Sequence, residues 1–517
     1  MAATITVYDG ADTIGGNKIL LEDRETAAFL DFGTSFDARF RYFEEFLSPR
    51  LRAGLLDLIH MGLVPPLRGI YRRDLEDSEG RAWERARRFP HYRERRVDAV
   101  LLSHAHMDHC GYISFLDPEI PIVCTSMTAY LCKAIQDCAA HQFEGEMCYA
   151  VPRTTYEDGT IGAAPHRDFP FVRRPYHVTD NLCDDPGDFW NLSPAVARGR
   201  YFASQQREVA GGVGDLRTRF FPVDHSIYGA AAIAVETSDG WVAYTGDLRR
   251  HGRTRILTDR FVEEAAKLAP VALLCEGTNI DREPSPTEDQ VFEACLEVVR
   301  GFDGQLVVAD FGPRNVERLL TFLEIARLTG RRLAVMDKDA YLLTAMHAVD
   351  PSIPTPGTEP LMIVYRRALR EPRHWVEGVR QWYPEQVTAG DIGTHIGDYI
   401  LCISFFDITE LVDIDPAGGA WIYSSSEAHN EEQQFELRRL QNWLERFNFS
   451  PFGLTERASR FHASGHIGAQ ELARVIREIA PRQVIPIHTR SPQRFPEIVP
   501  EMRVELPRVG VSMHLAG

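Results

Sequence analysis

The sequence predicts an α/β protein: a β-sandwich with a parallel-sheet unit inserted into it. Three observations carry that reading. Residues 1–35 form a meander of short apolar runs, separated by Gly and charged turns. Residues 286–440 alternate strand, helix, strand, helix, the pattern of a parallel sheet with flanking helices. Elsewhere, histidines and acids stand repeatedly at the ends of apolar runs, where a sandwich can gather them.

The meander comes first. Thr4–Tyr8, Lys18–Glu22 and Ala28–Asp31 read as strands, and Asp31 closes the third. Residues 36–96 then interrupt the strands. Phe40–Leu58 shows helical spacing of aromatic and Leu positions. Arg68–Arg96 is basic, with ten Arg against six acids and with Tyr71, Trp83, Phe89 and Tyr92 interleaved. Such a stretch serves either as a salt-bridged solvated helix or as a phosphate- and base-binding surface, the former being favoured. Ser126–Gln142 is the next helix. Residues 143–215, rich in Pro, Gly and Asp, show no period and read as an insertion or lid.

The strand pattern returns at Phe220–Ser226, Ala230–Glu236, Trp241–Thr245 and Val271–Glu276, with a helix at Arg260–Leu268. Thr287 and Gln290 form a capping box for a helix from Glu288 to Arg300. Leu306–Ala309, Asn315–Thr329, Arg332–Met336 and Ala340–Ala348 continue the alternation, and Tyr399–Phe405 and Ala420–Tyr423 add strands. The helix Glu431–Phe447 returns to the first unit. Gln470–Ile479 is amphipathic, Val484–His488 is a strand, and residues 501–515 close the chain.

Composition bounds the function. The chain has 517 residues and 44% hydrophobic content, enough for two or three domains. No apolar run is long enough to span a membrane. The N-terminus has no signal-peptide pattern, and nine cysteines lack a CxxC pair, so a reduced, cytoplasmic protein is expected. A net charge of −17 argues against nonspecific attraction to a phosphate backbone, although metal ions and a local basic patch can still dominate a groove.

The richest stretch is Leu101–Gly111. It places His104, His106, Asp108 and His109 on the loop after the apolar run Val97–Leu102. Imidazoles and carboxylates suit zinc, and four on one loop can serve two ions. His225 and Asp247 end later strands, Glu276 ends another, and His462, His466 and His488 follow beyond the inserted unit.

In this order, HxHxDH, a strand-end His and Gly-Asp resemble the metallo-β-lactamase fold. Glu276, His466 and His488 resemble the three further motifs of its β-CASP nucleases. The segments Glu276–Arg282, His462–His466 and Ile485–His488 are most similar to those of ribonuclease J, as is the Asn315–Arg318 helix start. The resemblance covers roughly residues 1–35, 97–140, 218–345 and 420–517. Glu276 stands where ribonuclease J usually has Asp, and Thr489-Arg490 replaces Gly-Glu. There is no room after Gly517 for that family's C-terminal dimerisation domain.

The resemblance implies an αββα metallo-β-lactamase sandwich with an inserted β-CASP α/β domain. Its parts would be 1–280 (with insertions at about 36–96 and 143–215), 281–445 and 446–517. It implies two Zn2+ per chain, with Mn2+ or Mg2+ as alternatives. His104, His106 and His225 would hold one; Asp108, His109 and His488 the other; Asp247 would bridge them, and Asp31 would orient a ligand. Catalysis would fall to Asp108, Glu276 and His466, with His466 as general acid beside a two-metal-activated hydroxide. His462, Ser464, Ser424, Ser425 and Ser426 would bind substrate or its phosphate. The expected partner is single-stranded RNA, with DNA as the alternative, and no membrane; self-association is open. The activity implied is a ribonuclease, acting as a 5′→3′ exonuclease, an endonuclease or both. Competing readings are a DNA nuclease of repair or defence, a small-molecule metallohydrolase and a non-catalytic scaffold.

Overall fold

A computed structural model describes the chain apart from residues 1, 45, 140–142, 165–170, 181–183, 186–187, 193–206, 210–211, 283–284, 313, 426–430, 455–459 and 516–517. Side chains are likewise left undescribed at 207–209 and 431–435.

Two sheets face one another in the first unit. The eight-stranded sheet runs, in spatial order, Arg207–Val209, Tyr176–Val178, Ile122–Cys124, Ala99–Leu101, Thr26–Phe32, Lys18–Asp23, Thr4–Asp9 and Ser512–His514. The five-stranded sheet runs Arg217–Pro222, Ala231–Thr237, Gly240–Tyr244, Ala272–Glu276 and Val484–Ile487. Side chains alternate across a strand, so each sheet has two faces to bury. Ile5, Val7, Ile19, Leu21, Ala28 and Leu30 of one sheet pack against Ile233, Val235, Tyr244, Leu274 and Ile485 of the other. The outer face of the second sheet, including Ala232, Ala234 and Leu273, meets Phe261, Val262, Leu472 and Ile476 of helices Arg255–Leu268 and Ala469–Ile479. The outer face of the first, including Leu20, Phe29 and Val100, meets helices Leu55–His60 and Ser126–Cys138. This is the expected αββα layering.

The second unit is a seven-stranded sheet, parallel throughout. Its order is Gln386–Val387, Met362–Tyr365, Arg332–Met336, Tyr399–Cys402, Leu306–Asp310, Gly419–Tyr423 and Phe449–Phe452. Thr287 and Gln290 do form a capping box, opening the helix Glu288–Gly301. The strand Phe449–Phe452 lies past the boundary expected at 445, because a helix returning beside a parallel sheet delivers one more parallel strand. Pro451 fits there, since an edge strand tolerates a missing N–H. The units share a core. Tyr341 donates a 2.8 Å hydrogen bond to Asp137, which also pairs with Lys133.

Other expectations are corrected. Phe40–Leu58 is not one helix. It breaks into Phe36–Tyr42, a 3-10 turn at Leu51–Ala53, and Leu55–His60. Pro49 and Gly54 interrupt the spacing that suggested continuity. Within 143–215, where no period is legible, Tyr176–Val178 and Arg207–Val209 extend the first sheet by parallel pairing. The basic stretch is mostly the expected salt-bridged, solvated segment, with Arg73, Arg81, Arg85, Arg87, Arg88 and Arg96 exposed, but part of it turns inward. Tyr71 and Trp83 are core residues, and Arg72, 1% exposed, pairs with Asp74 and Glu146. Residues 501–515 hold a single strand, Ser512–His514.

Candidate metal centre

The ligand loop leaves the strand Ala99–Leu101 and enters a short helix, Met107–Cys110. Gly33, at the end of a neighbouring strand, lets the chain pass against it; a Cβ at Gly33 would lie 1.7 Å from the Asp108 carbonyl oxygen. The loop meets the ends of three strands of the second sheet, which deliver His225, Asp247 and His488. Sheet packing thus converts strand ends into a centre.

Two donor groups result. In the first, His106 Nδ1 lies 3.1 Å from both His104 Nε2 and His225 Nε2. In the second, His488 Nε2 is 3.3 Å from both His109 Nε2 and Asp108 Oδ2. Asp247 Oδ2 stands between them, 3.6 Å from His104 Nε2, 3.1 Å from His109 Nε2 and 3.7 Å from His488 Nε2. All seven expected ligands are therefore brought together, in groups whose donor atoms lie within 4.8 Å of one another. Imidazoles and carboxylates crowd here; burial works against a charged His109, but the Asp247, Asp108 and Asp31 carboxylates outweigh it and hold that ring well above the usual histidine range. Burial, then neighbouring imidazoles, pushes His104, His106 and His225 well below the usual histidine range. Neutral imidazole is the form that ligates a cation. Asp247 Oδ1 is buried and has no hydrogen-bond partner. Neutral rings around an orphaned carboxylate oxygen are a donor set that fits divalent cations, zinc foremost.

The rings are held by their far nitrogens. Asp31 Oδ2 accepts from His109 Nδ1 at 2.7 Å, and the Gly465 carbonyl accepts from His225 Nδ1 at 2.6 Å. Thr278 Oγ1 lies 2.8 Å from His488 Nδ1, and Ser103 Oγ lies 3.0 Å from His104 Nδ1. These contacts leave the Nε2 atoms facing inward. Asp31 is itself fixed by the Ser103 amide and hydroxyl and by the Tyr244 hydroxyl. Asp31 (φ 60°) and His488 (φ 52°) both adopt left-handed backbone, which is costly for His and marks a site where geometry outweighs strain. Sequence reasoning missed Ser103, Tyr244, Thr278 and the Gly465 carbonyl as orienting groups. Ser103 and Thr278 lay inside motifs already singled out, but nothing local distinguishes an orienting hydroxyl from a turn residue.

Glu276 and His466 adjoin the centre. His466 Nδ1 lies 3.2 Å from Glu276 Oε1 and 3.9 Å from Asp247 Oδ2. Burial works against its charged form, but the Glu276 and Asp247 carboxylates outweigh it and raise His466 to about 9. Glu276 is locked by the Leu248 and Thr278 amides. The rest of the expected substrate loop is more internal than anticipated. Ser424, 1% exposed, donates to the Phe461 carbonyl and accepts from Arg318. Ser464 Oγ accepts from Asn279 at 2.8 Å and from the His466 amide at 3.2 Å. His462 Nδ1 donates to the Ser424 carbonyl at 3.3 Å, and burial followed by the Arg318 charge lowers it to about 3. These three side chains brace the loop that carries His466. Ser425 is half-buried beside Ser424, and Ser426 lies outside the described residues.

Beneath this loop is a buried charge network. Arg249 pairs with Asp224 (3.2 Å), Glu288 (3.2 Å) and Glu317 (2.6 Å) and donates to the Ser464 carbonyl at 3.1 Å. Arg318 pairs with Glu288 at 3.1 Å.

Known proteins are similar to this chain in sequence or in fold. Ribonuclease J of Mycolicibacterium smegmatis is 23% identical over 408 residues, 76% of this chain and 58% of that protein. The Mycobacterium tuberculosis counterpart is 25% identical over the same shares. The chain is a distant relative of ribonuclease J. Ribonuclease J of Pyrococcus abyssi is 21% identical over 409 residues, 77% of this chain and 75% of that protein. The chain spans 58% of the length of the mycobacterial ribonuclease J proteins it matches. No family model matches. A crystal structure of a protein of unknown function from Enterococcus faecalis V583 has the same fold, with TM-score 0.66 and 22% identity, covering 99% of this chain and 100% of that one. Among the described residues no helix is long and apolar enough to cross a membrane.

Proposed function

We propose that this protein is a metal-dependent phosphodiester hydrolase acting on single-stranded RNA. The observation that carries the reading is the placement of His466 and Glu276 against Asp247, between two donor groups suited to divalent cations. His104, His106 and His225 would hold one zinc, Asp108, His109 and His488 the other, with Asp247 shared. Two such cations supply charge neutralisation at the phosphate and an acidified water.

The chain's own groups do the rest. Asp31, Thr278, Ser103 and the Gly465 carbonyl keep the imidazoles aimed. His466, held protonated by Glu276, donates its proton to the leaving 3′-oxygen. Asp108, partly exposed at 24%, would help hold the second cation on the side of the centre that solvent reaches. A small ester would need neither the second unit nor a general acid, which favours a polymeric substrate.

The test is incubation of the zinc-loaded protein with 5′-labelled RNA bearing a monophosphate or a triphosphate, beside the matched DNA. Mononucleotides released from the monophosphate form alone support 5′→3′ exonuclease action; internal fragments from both RNAs support an endonuclease. Cleavage of DNA alone moves the substrate to DNA, and no cleavage of any strand sinks the proposal.

A further inference from the structure

Arg314 lies in the turn after the strand Leu306–Asp310, one residue before Asn315. Asn315 caps the helix Val316–Thr329 through its side chain. The turn reaches across to the first unit. Arg314 Nη1 donates to the carbonyl of Ala105, at 3.4 Å, and Ala105 is the buried residue between His104 and His106.

The other guanidiniums around the centre are committed to acids. Arg249 and Arg318 belong to the buried network, and Arg490, two residues past His488, pairs with Asp37 at 2.7 Å. Arg314 has no ion pair among the described residues; its recorded partner is a backbone carbonyl. A half-buried guanidinium facing only a carbonyl keeps donors for an anion, and its planar fork matches phosphate oxygens. Its backbone is also anchored: one turn on, Arg318 is tied to Glu288, Ser424 and Phe461. In a chain of net charge −17, a polyanion needs such a fixed cation beside Asp108, Asp247 and Glu276.

We infer that Arg314 grips a backbone phosphate of the bound strand at the rim of the metal centre, so that the second unit fixes the register of the strand over the first. This rests on the nuclease reading and adds a positioning residue to it. No chemical step is assigned to Arg314.

The test uses the zinc-loaded protein and a short single-stranded RNA, in which the phosphates around the cut are replaced one at a time by neutral methylphosphonates. Arg314→Gln is expected to lower kcat/KM about tenfold or more, mostly through KM, and to flatten its logarithmic salt slope by about 0.7. Arg314→Lys should recover the slope but not the full affinity. One methylphosphonate should impair the wild type and cost Arg314→Gln nothing further. Fluorescence anisotropy in a His466→Ala background, which binds without cutting, should show the same loss of slope. An unchanged slope, or equal sensitivity of both proteins to every neutral linkage, overturns the inference while leaving the nuclease reading intact. A wild type that cuts no nucleic acid overturns both.

Discussion

The metal centre and the charge network beside it grow from the same strand ends. Asp224 precedes His225, and Arg249 follows Asp247 by two positions, so alternate residues of the same turns serve different clusters. Both clusters are almost fully buried. Their chemistry differs. In the network, Arg249 and Arg318 answer Asp224, Glu288 and Glu317, and the positive charge is supplied by the chain itself. In the centre, burial holds His104, His106 and His225 neutral, no Arg or Lys pairs with Asp247 or Asp108 among the described residues, and one oxygen of Asp247 has no donor. Burial of polar groups is tolerated when they are paired. One cluster is complete without a ligand and acts as a joint. The other is a donor set for a cation that the chain itself does not supply.

Four experiments probe that contrast, from the largest expected effect to the smallest. Asp247→Ala should remove the shared ligand, cutting activity by at least about 10³-fold and leaving fewer than two metals per chain by elemental analysis; full metal content would mean that the two groups bind independently. His466→Ala should lower kcat by about 10²–10⁴-fold with both metals retained, and normal cleavage would remove His466 as the acid. Arg249→Met should leave the buried Asp224 and Glu317 without their guanidinium, Glu288 keeping Arg318, and destabilise the fold by about 3–5 kcal/mol in urea unfolding. Added zinc should not rescue it, whereas stability lost on chelation should return with zinc.

The last concerns a lone acid. Asp310, 4% exposed and accepting from Trp421 Nε1, is pushed up to about 8 by burial. Its unfolded value is near 3.9. The folded state therefore binds the extra proton between these values. The stability contributed is full below the lower value and is lost as pH rises through the upper one. Asp310→Asn keeps the acceptor without the charge, so Tm should exceed the wild type near pH 9 and come close to it near pH 4. Equal gains at both pH values would show that packing, not ionisation, is responsible.

Much of this was legible because ligand chemistry is local. His104, His106, Asp108 and His109 announce themselves in one loop, and apolar runs place His225, Asp247 and His488 at strand ends. The Thr287–Gln290 capping box is likewise a property of four residues. What stayed hidden depends on who arrives from elsewhere. The hydroxyls of Ser103 and Thr278 become orienting groups through the ring that packs beside them. The Arg-rich segment 68–96 is largely the salt-bridged surface its composition suggests, but the burial of Arg72 against Glu146 depends on a residue 74 positions away. Phe449–Phe452 was overlooked because an edge strand containing Pro carries a weak local signal.

The strand Val484–Ile487 has a consequence in time. It docks in parallel beside Ala272–Glu276 and brings His488 to His109, 379 positions earlier in the chain. The first donor group is complete once Asp247 has emerged, but the second must wait while the entire seven-stranded unit is made and folded. Closing so long a loop is slow. A growing chain can therefore assemble the first donor group early, yet it holds no paired centre until the inserted unit is in place.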